Sequence, residues 1–296
     1  MNKFRDLVVE NIEESKLIIV GLPYDASCSV GKGASLAPKT IRDLSGFLPP
    51  FTMDQISIED FKIYDYGDIE VTDNYHEKVE KITKLVFELN KFPLFIGGDH
   101  SVSIPIQKNF IEQTRKKGLI PVIIHIDAHP DICDVYENSK YSHACTNMRA
   151  IENGLETSNL NLIGIRGFEK QEVEYFKIHG EINLYTSSKI NENGYDYVLT
   201  DLINKFKDPK YACYLSYDID ANDPSFAPGT GTPEAFGLDS YKLMKLIKGI
   251  VKNLNVTAMD IVEVSPPLDV NNITSWLALK TLYEIFAVLN EKTKEK

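Results

Sequence analysis

Short runs of apolar residues alternate with segments of helical periodicity along nearly the whole chain, and this alternation restricts the fold more than any other feature. The runs are Leu17–Val20, Lys62–Tyr64, Pro93–Ile96, Val122–Ile126, Leu160–Ile165, Ala212–Tyr217 and Thr257–Val264. Between them, apolar residues recur three or four positions apart, as at Val79, Ile82 and Val86. Continuously apolar strands separated by helices predict a mainly parallel sheet covered by helices on both faces. Because no linker divides the chain, residues 1–296 are expected to form one α/β domain.

Composition and charge exclude several classes of function. The 32 basic and 43 acidic side chains give a net charge of −11, whereas nucleic-acid binding needs a positive field. No stretch approaches the roughly 18 apolar residues of a membrane-spanning helix. The amino-terminal residues lack the apolar core of a signal peptide, and the four cysteines form no CxxC pair. We therefore expect a cytoplasmic protein that binds neither nucleic acid nor membrane.

Acidic residues and histidines directly follow several of the predicted strands. The sequences after the third, fourth and sixth runs are Gly97-Gly98-Asp99-His100-Ser101, Asp127-Ala128-His129-Pro130-Asp131 and Asp218-Ile219-Asp220, and Glu263 lies near the end of the last run. Ligand sites of parallel sheets form at the carboxyl ends of the strands. Alternating residues of an extended segment project to one side, so these side chains are expected to converge.

A cleft that holds four aspartates and two histidines requires compensating cations. Asp127, Asp131, Asp218 and Asp220 cannot remain ionised together without them. Two divalent ions supply four positive charges, and oxygen and nitrogen donors without a thiolate favour Mn²⁺ or another fairly hard divalent metal. A lone Asp-x-Asp is usually a turn or a helix cap, but here that explanation would have to hold at three strand ends. His125 alternates to the side opposite Asp127, so we expect a buried, hydrogen-bonded histidine rather than a ligand.

Five sequence blocks resemble those of the ureohydrolases, the arginase/agmatinase family. Three of them are GGDHS at Gly97–Ser101, DAHPD at Asp127–Asp131 and SYDIDANDP at Ser216–Pro224. Gly21–Asp25 looks like the amino-terminal block of the family, and Asp260–Val264 like its carboxyl-terminal block. The resemblance implies a three-layer α/β/α domain with a central, mainly parallel sheet of eight strands.

The resemblance also implies a site with two Mn²⁺ ions per subunit and a hydroxide between them as the nucleophile. One ion would be held by His100, Asp127, Asp131 and Asp218, and the other by Asp127, His129, Asp218 and Asp220. Asp127 and Asp218 would bridge the two ions. Metal ions make this chemistry feasible at neutral pH because they lower the pKa of bound water from about 15.7 toward about 7.

Three residues are expected to act on the substrate. Glu263 is the carboxylate that would hold a guanidinium by charge-assisted hydrogen bonds. Asp220 resembles the family residue that receives and passes on a proton. His143 resembles the family histidine that relays protons to the departing amine. The residues after His143 are Ala144-Cys145, where the family often has Gly, and they open a helical pattern through Ile151.

An agmatine-like guanidine is the leading substrate. The loop Pro228–Glu234 resembles the agmatinase branch, and the arginase loop that receives an α-carboxylate is not found in residues 132–148. Lys32–Ser35, Ala37-Pro38 and Phe236-Gly237 depart from the usual agmatinase pattern, which leaves other members of the class open: guanidinobutyrase, guanidinopropionase, formimidoylglutamase or arginase. A carboxylate-bearing substrate should need an Arg or Lys at the cleft mouth, and Arg149 and Arg166 are the residues conceivable for that role.

Two hypotheses from other functional classes remain open. One is a metal-binding homologue without activity, although the complete set of Asp, His and Glu argues against it. The other is a deacetylase of related fold, which would need a single zinc ion. The resemblance further implies a homo-oligomer, either a trimer or a hexamer.

Overall fold

Eight strands form one sheet in which every neighbouring pair is parallel. The computed structural model describes residues 3–294. Its strands are β1 (Leu17–Gly21), β2 (Ile63–Asp68), β3 (Phe92–Ile96), β4 (Ile120–Ile126), β5 (Leu160–Ile165), β6 (Asn183–Thr186), β7 (Tyr211–Asp218) and β8 (Val256–Val262). Their order across the sheet is β2-β1-β3-β8-β7-β4-β5-β6. The four strands followed by the acidic and histidine motifs, β3, β8, β7 and β4, are therefore neighbours at its centre.

Helices cover both faces of this sheet. They are α1 (Ala37–Ser45), α2 (Tyr75–Glu88), α3 (Ser103–Lys116), α4 (Thr146–Glu152), α5 (Lys170–Ile178), α6 (Ser187–Asn193), α7 (Tyr195–Phe206), α8 (Ser240–Asn253) and α9 (Ile273–Lys294). Residues of α1, α6, α7, α8 and α9 pack in one apolar core, and residues of α2, α3, α4 and α5 in the other. Alternate residues of β1 enter the two cores, Leu17 and Ile19 the first, Ile18 and Val20 the second. The predicted three-layer α/β/α architecture is confirmed.

The sequence pattern fails at the edges of the sheet. It identifies seven strands and misses β6, whose residues are mostly half-buried because the strand has a neighbour on one side only. The other edge strand, β2, ends at Asp68, four residues beyond the predicted end at Tyr64. Its polar end is explained by the buried Arg42 of α1, whose guanidinium donates to both carboxylate oxygens of Asp65 at 2.9 and 2.8 Å and also pairs with Asp68. Among the helices described, none is long and apolar enough to cross a bilayer.

Candidate metal centre

The Gly97-Gly98 pair allows the chain leaving β3 to pass directly against the loop after β1. A Cβ atom on Gly98 would lie 1.8 Å from the carbonyl oxygen of Tyr24. The next amide, that of Asp99, donates to the same oxygen at 2.7 Å. The Asp99 carboxylate then caps a turn of 3-10 helix by accepting from the amide of Ser101 at 3.0 Å. This turn places His100 in the interior at the end of the strand.

The orientation of the His100 ring is set by a chain of buried hydrogen bonds. Its Nε2 donates to the Oγ of Ser216 at 2.9 Å, and that hydroxyl donates to the Oδ1 of Asp260 at 2.8 Å. Asp260 also accepts from Ser103 at 2.5 Å and from Tyr214 at 2.6 Å. With Nε2 engaged as a donor, Nδ1 is the ring atom that remains available as a ligand.

Nδ1 of His100 faces three buried carboxylates. It lies 3.0 Å from Oδ2 of Asp127, 3.1 Å from Oδ2 of Asp131 and 3.2 Å from Oδ2 of Asp218. These side chains come from the ends of β3, β4 and β7, so the convergence expected at the carboxyl edge of the sheet is what the fold produces. One nitrogen and three oxygens within this range form a donor set typical of a divalent cation.

A second group of donors adjoins the first. Nδ1 of His129 lies 3.2 Å from Oδ2 of Asp220 and 3.5 Å from Oδ1 of Asp127. Asp127 therefore directs Oδ2 to the first group and Oδ1 to the second. This sharing of one carboxylate is the geometry that a bridged pair of cations requires.

Unpaired buried atoms at the centre of the first group fit the binding of a cation. Neither Nδ1 of His100 nor Oδ2 of Asp127 makes a hydrogen bond, although both are completely shielded from solvent. Buried polar atoms without partners are destabilising, and a metal ion would satisfy both of these.

The pKa shifts of the buried carboxylates also favour the presence of a cation. Burial, together with the negative charges of Asp220 and Asp127, raises the pKa of Asp218 well above its ordinary value. Burial and the charge of Asp99 similarly raise the pKa of Glu263. Asp218 therefore resists ionisation without added positive charge, as predicted for the aspartates, whereas the neighbouring histidines His125, His100 and His129 lower the pKa of Asp127 in spite of its burial.

The local backbone differs from the extended geometry used in the prediction. The chain bends after Ile126, Asp131 has a φ of +52°, and a turn of 3-10 helix covers Ile219–Ala221. The expected orientation of His125 away from Asp127 is wrong for this reason. Its Nε2 lies 3.0 Å from Oδ2 of Asp127, and its ring stacks on that of His100 with centroids 4.9 Å apart. The expected burial and hydrogen bonding of His125 are present, since the same Nε2 is 3.0 Å from the carbonyl oxygen of His129.

Glu263 follows β8 in a strained conformation. Strand β8 ends at Val262, two residues before the predicted end, and Glu263 has a φ of +61°, in the left-handed region that favours glycine. Its Oε1 accepts from the amide of His100 at 2.7 Å, which holds the carboxylate beside the candidate metal ligands. Strain at a buried charged residue is a feature of functional sites.

A cavity of about 360 Å³ opens beside the second donor group. Its lining residues are Ser29, Val30, His129, Asp131, Tyr136, His143, Ala144, Gly167, Phe168, Glu169, Glu172, Thr232, Pro233 and Glu234. Asp131 and His129 reach this space from the two donor groups, whereas Glu263 is buried and does not line it. The cavity is the place where a substrate would meet the cluster.

His143 lies in the cavity wall with a defined tautomer. Its Nδ1 is 2.6 Å from the carbonyl oxygen of Ser27, so Nδ1 carries the proton and donates it to that oxygen. Its own amide donates to the Oγ of Ser27 at 3.1 Å, and the amide of Ser27 donates to Asp99 at 2.9 Å. Nε2 is left as an acceptor, 3.5 Å from the Oγ of Ser29. The expected helical pattern after His143 is present as a 3-10 turn followed by α4.

Sequence reasoning missed the residues that position the ligands. The sequence blocks contain Ser216, Asp260 and Asp99, but the blocks alone indicate no role for these three residues. The available signal was a polar residue inside an apolar strand: Ser216 in β7 and Asp260 in β8 are completely buried. Glu169 and Glu172, which line the cavity, carried no such signal because they lie in an ordinary charged helical segment.

The all-parallel sheet and the histidine–aspartate groups at its carboxyl edge define an α/β protein with a candidate cation site at the strand ends. A profile of the arginase family matches residues 15–287. An agmatinase of Bacillus cereus is 34% identical over 287 residues, which cover 93% of this chain and 92% of that protein. The chain belongs to the arginase family, as the sequence blocks predicted.

Other relatives carry other substrate names. A guanidinobutyrase of Pseudomonas aeruginosa is 32% identical over 281 residues, covering 91% of this chain and 85% of its own length. The crystal structure of the agmatine ureohydrolase of Thermoplasma volcanium has 31% identity and a TM-score of 0.87, covering 100% of this chain and 96% of that chain. Overall similarity therefore identifies this chain as a hydrolase of the arginase family. Because the relatives are named for different substrates, the lining of the cavity is the evidence for choosing among them.

Proposed function

We propose that this protein hydrolyses agmatine to putrescine and urea with two Mn²⁺ ions bound per subunit. The observation that carries the proposal is the charge of the cavity. Glu169 and Glu234 line it together with Asp131 of the candidate metal centre and the buried Glu172, and among the described residues no lysine or arginine does. Agmatine bears a second positive charge at the end of its chain, and such a cavity attracts a cationic tail and repels a carboxylate.

The two arginines conceivable as carboxylate receptors are engaged elsewhere. The Nη2 of Arg149 pairs with Asp134 at 2.7 Å and its Nε with Glu152 at 3.1 Å, and the residue lines a different cavity. Arg166 donates to backbone carbonyls, including those of Asp220 at 2.7 Å and Glu234 at 2.8 Å. Neither guanidinium is directed to the tail of a substrate. This arrangement favours agmatine over guanidinobutyrate, guanidinopropionate or formiminoglutamate.

The ligand assignment is supported by the donor groups described above. His100, Asp127, Asp131 and Asp218 would hold one cation, and His129 and Asp220 would join Asp127 and Asp218 in holding the other. When bound, the cations would supply a nucleophile at neutral pH by lowering the pKa of water. Their charge would also remove the conflict among the buried carboxylates.

The remaining roles fall to three side chains. Glu263 would hold the guanidinium through charge-assisted hydrogen bonds and so fix its distance from the cluster. The Nδ1 of His143 is engaged with the carbonyl oxygen of Ser27, so Nε2 is the ring nitrogen suited to accept a proton and pass it to the departing amine. The Oδ2 of Asp220 lies 3.4 Å from the hydroxyl of Thr232 in the cavity wall, a position suited to proton transfer at the substrate.

The decisive experiment compares kcat/KM for agmatine, arginine and 4-guanidinobutyrate on the protein loaded with Mn²⁺. Unfavourable charge contacts in a partly desolvated site cost several kcal/mol, so we expect agmatine to exceed 4-guanidinobutyrate by about 100-fold or more. Equal or better turnover of 4-guanidinobutyrate or arginine would contradict the assignment. Failure of every guanidine and formimino compound to release urea or formamide would leave a metal-binding homologue without activity.

A variant pair tests the role of the cavity glutamates directly. Glu169→Gln is expected to raise KM for agmatine while changing kcat little, because it removes a tail contact remote from the guanidinium. Glu174→Gln is the matched control, since Glu174 lies on the helix that Glu169 caps, is exposed and does not line the cavity. Metal analysis of the same preparation addresses the deacetylase alternative: one zinc per chain, instead of two manganese ions, would support that reading.

A further inference from the structure

A second cavity lies at the opposite edge of the sheet from the metal centre. It has a volume of about 320 Å³ and is lined at the amino ends of three central strands by Phe92 of β3, Ala212 of β7 and Val256 of β8. At their carboxyl ends the same strands lead to His100, Asp218 and Glu263. The two cavities are therefore separated by the length of the sheet, and the second plays no part in the proposed reaction.

The lining of this cavity has the opposite charge to the chain as a whole. It includes four lysines, Lys16, Lys91, Lys117 and Lys292, and no aspartate or glutamate among the described residues, in a chain with a net charge of −11. Phenylalanine and leucine side chains make up much of the remaining surface. A positive rim with an apolar interior is complementary to an amphipathic anion.

The charges of three of these lysines are not neutralised by carboxylates of the described chain. Nζ of Lys16 contacts the neutral oxygens of Asn290 at 2.9 Å and Thr293 at 3.1 Å. Nζ of Lys91 donates to the backbone carbonyls of Glu13 at 2.9 Å and Ser15 at 2.8 Å. Within residues 3–294, no ion pair involves Lys117, which is exposed at the end of α3. Hydrogen bonds to neutral oxygens leave the ammonium charges available to attract an anion.

An independent feature in the same wall indicates a ligand. The side chain of Gln113, which is 8% exposed, lines the cavity, and its Nε2 has no hydrogen-bond acceptor. A buried donor without an acceptor is destabilising, and native proteins contain few of them. The oxygen of an anionic group would supply the acceptor. Gln113 and Lys117 lie one helical turn apart, so both can contact one such group.

We propose that this cavity binds a small organic anion with a carboxylate or phosphate head on an apolar or aromatic body. Lys117 and Gln113 contact the head, and the aromatic side chains contact the body. A volume of about 320 Å³ suits a molecule of this size, since small-molecule sites begin at about 300 Å³. Binding here is independent of whether the metal centre hydrolyses agmatine.

Calorimetric titration of the Mn²⁺-loaded protein tests the proposal with three probes. They are 4-phenylbutyrate, phenyl phosphate and the neutral 4-phenylbutanamide. At least one anion is expected to bind, and the amide about tenfold more weakly or not at all, because it lacks the charge. The tighter of the two anions identifies the preferred head group. Absence of binding by both anions at about 10 mM, or equal binding of the amide, would overturn the proposal.

Two variants separate this cavity from the metal centre, which also attracts anions once its cations are bound. Lys117→Gln is expected to weaken binding of the anion about fivefold, the size of one partly exposed charge contact. Lys116→Gln is the control, since Lys116 is exposed, adjacent in sequence and absent from the lining. Identical affinities in the two variants would place the anion elsewhere, including at the metal centre, and would refute the assignment. Gln113→Leu provides a second test, with weaker anion binding expected and unchanged binding counting against the role of its amide.

Discussion

The Oγ of Ser216 lies 2.9 Å from Nε2 of His100 and donates its own proton to Asp260, so one buried hydroxyl connects a carboxylate of β8 to an imidazole of the candidate metal centre. This connection selects the ring nitrogen that faces the carboxylates. Partners of this kind raise the basicity of a ligand and fix its orientation.

Ser216→Ala is therefore expected to reduce manganese affinity about 10–100-fold, because the loss of such a partner has effects of this size. Ser103→Ala is the matched control: Ser103 also donates to Asp260, at 2.5 Å, but does not contact His100. Competition with a metal chelator measures both affinities. A similar loss in the two variants would indicate that Asp260 acts through general stability of the core and not through His100.

Asp127 is expected to be required for both cations, since each of its oxygens faces a different donor group. Asp127→Asn should lose most of the bound manganese together with activity, and Asp218→Asn should behave in the same way. Metal content after gel filtration provides the measurement, with Asp208→Asn, at an exposed position, as control. Retention of two manganese ions in either variant would refute the bridging assignment.

Gly98→Ala is expected to destabilise the protein by about 3 kcal/mol or more, because the added methyl would overlap the Tyr24 carbonyl. Urea unfolding measures the effect. Gly180→Ala serves for comparison, since a Cβ atom there meets nothing within 4 Å and the change should stay within about 0.5 kcal/mol. Equal stability of the two variants would show that the loop after β1 moves away from Gly98 at little cost.

Glu172 should give the metal-free protein a distinct dependence of stability on pH. Burial raises its pKa to about 7, while the unfolded chain titrates near the ordinary value of 4.5. The folded state thus favours the protonated form, and this contribution to stability is present below about pH 4.5 and lost as the pH rises through about 7.

Between pH 5 and 8, the free energy of unfolding of the wild type should fall relative to that of Glu172→Gln by about 2–3 kcal/mol. Parallel unfolding curves for the two proteins over this range are the measurement. In the variant, a hydrogen bond from the amide of Ile132 or Glu169 is lost, which changes the free energy of unfolding by the same amount at every pH. The slope of the free energy of unfolding against pH is therefore the quantity to compare. Equal slopes would show that Glu172 titrates alike in both states.

The central part of the molecule was predictable and its periphery was not. Strands β3, β4, β7 and β8 are buried on both faces, so their sequences are mainly apolar and the clusters of polar residues after them stand out. Strand β6 lies at an edge, where one side faces solvent and the same pattern does not arise.

Within the site, residue types were predictable and orientations were not. The six expected metal ligands are found in two adjacent groups. His125 was misplaced because a two-residue alternation holds only while the strand continues, and β4 ends at Ile126. The charge of the cavity also required the structure, since Glu169 and Glu234 are distant in sequence and meet only through folding.

The left-handed conformation of Glu263 has a consequence for the evolution and engineering of this chain. A residue with a side chain in that region costs of order 1–3 kcal/mol, and burial of its carboxylate adds to the cost. Glycine at this position would remove both the backbone strain and the buried carboxylate. Selection for thermal stability alone would therefore tend to replace the residue assigned to guanidinium binding. Stability and activity are opposed at this one position, and only a screen that measures turnover would retain the glutamate.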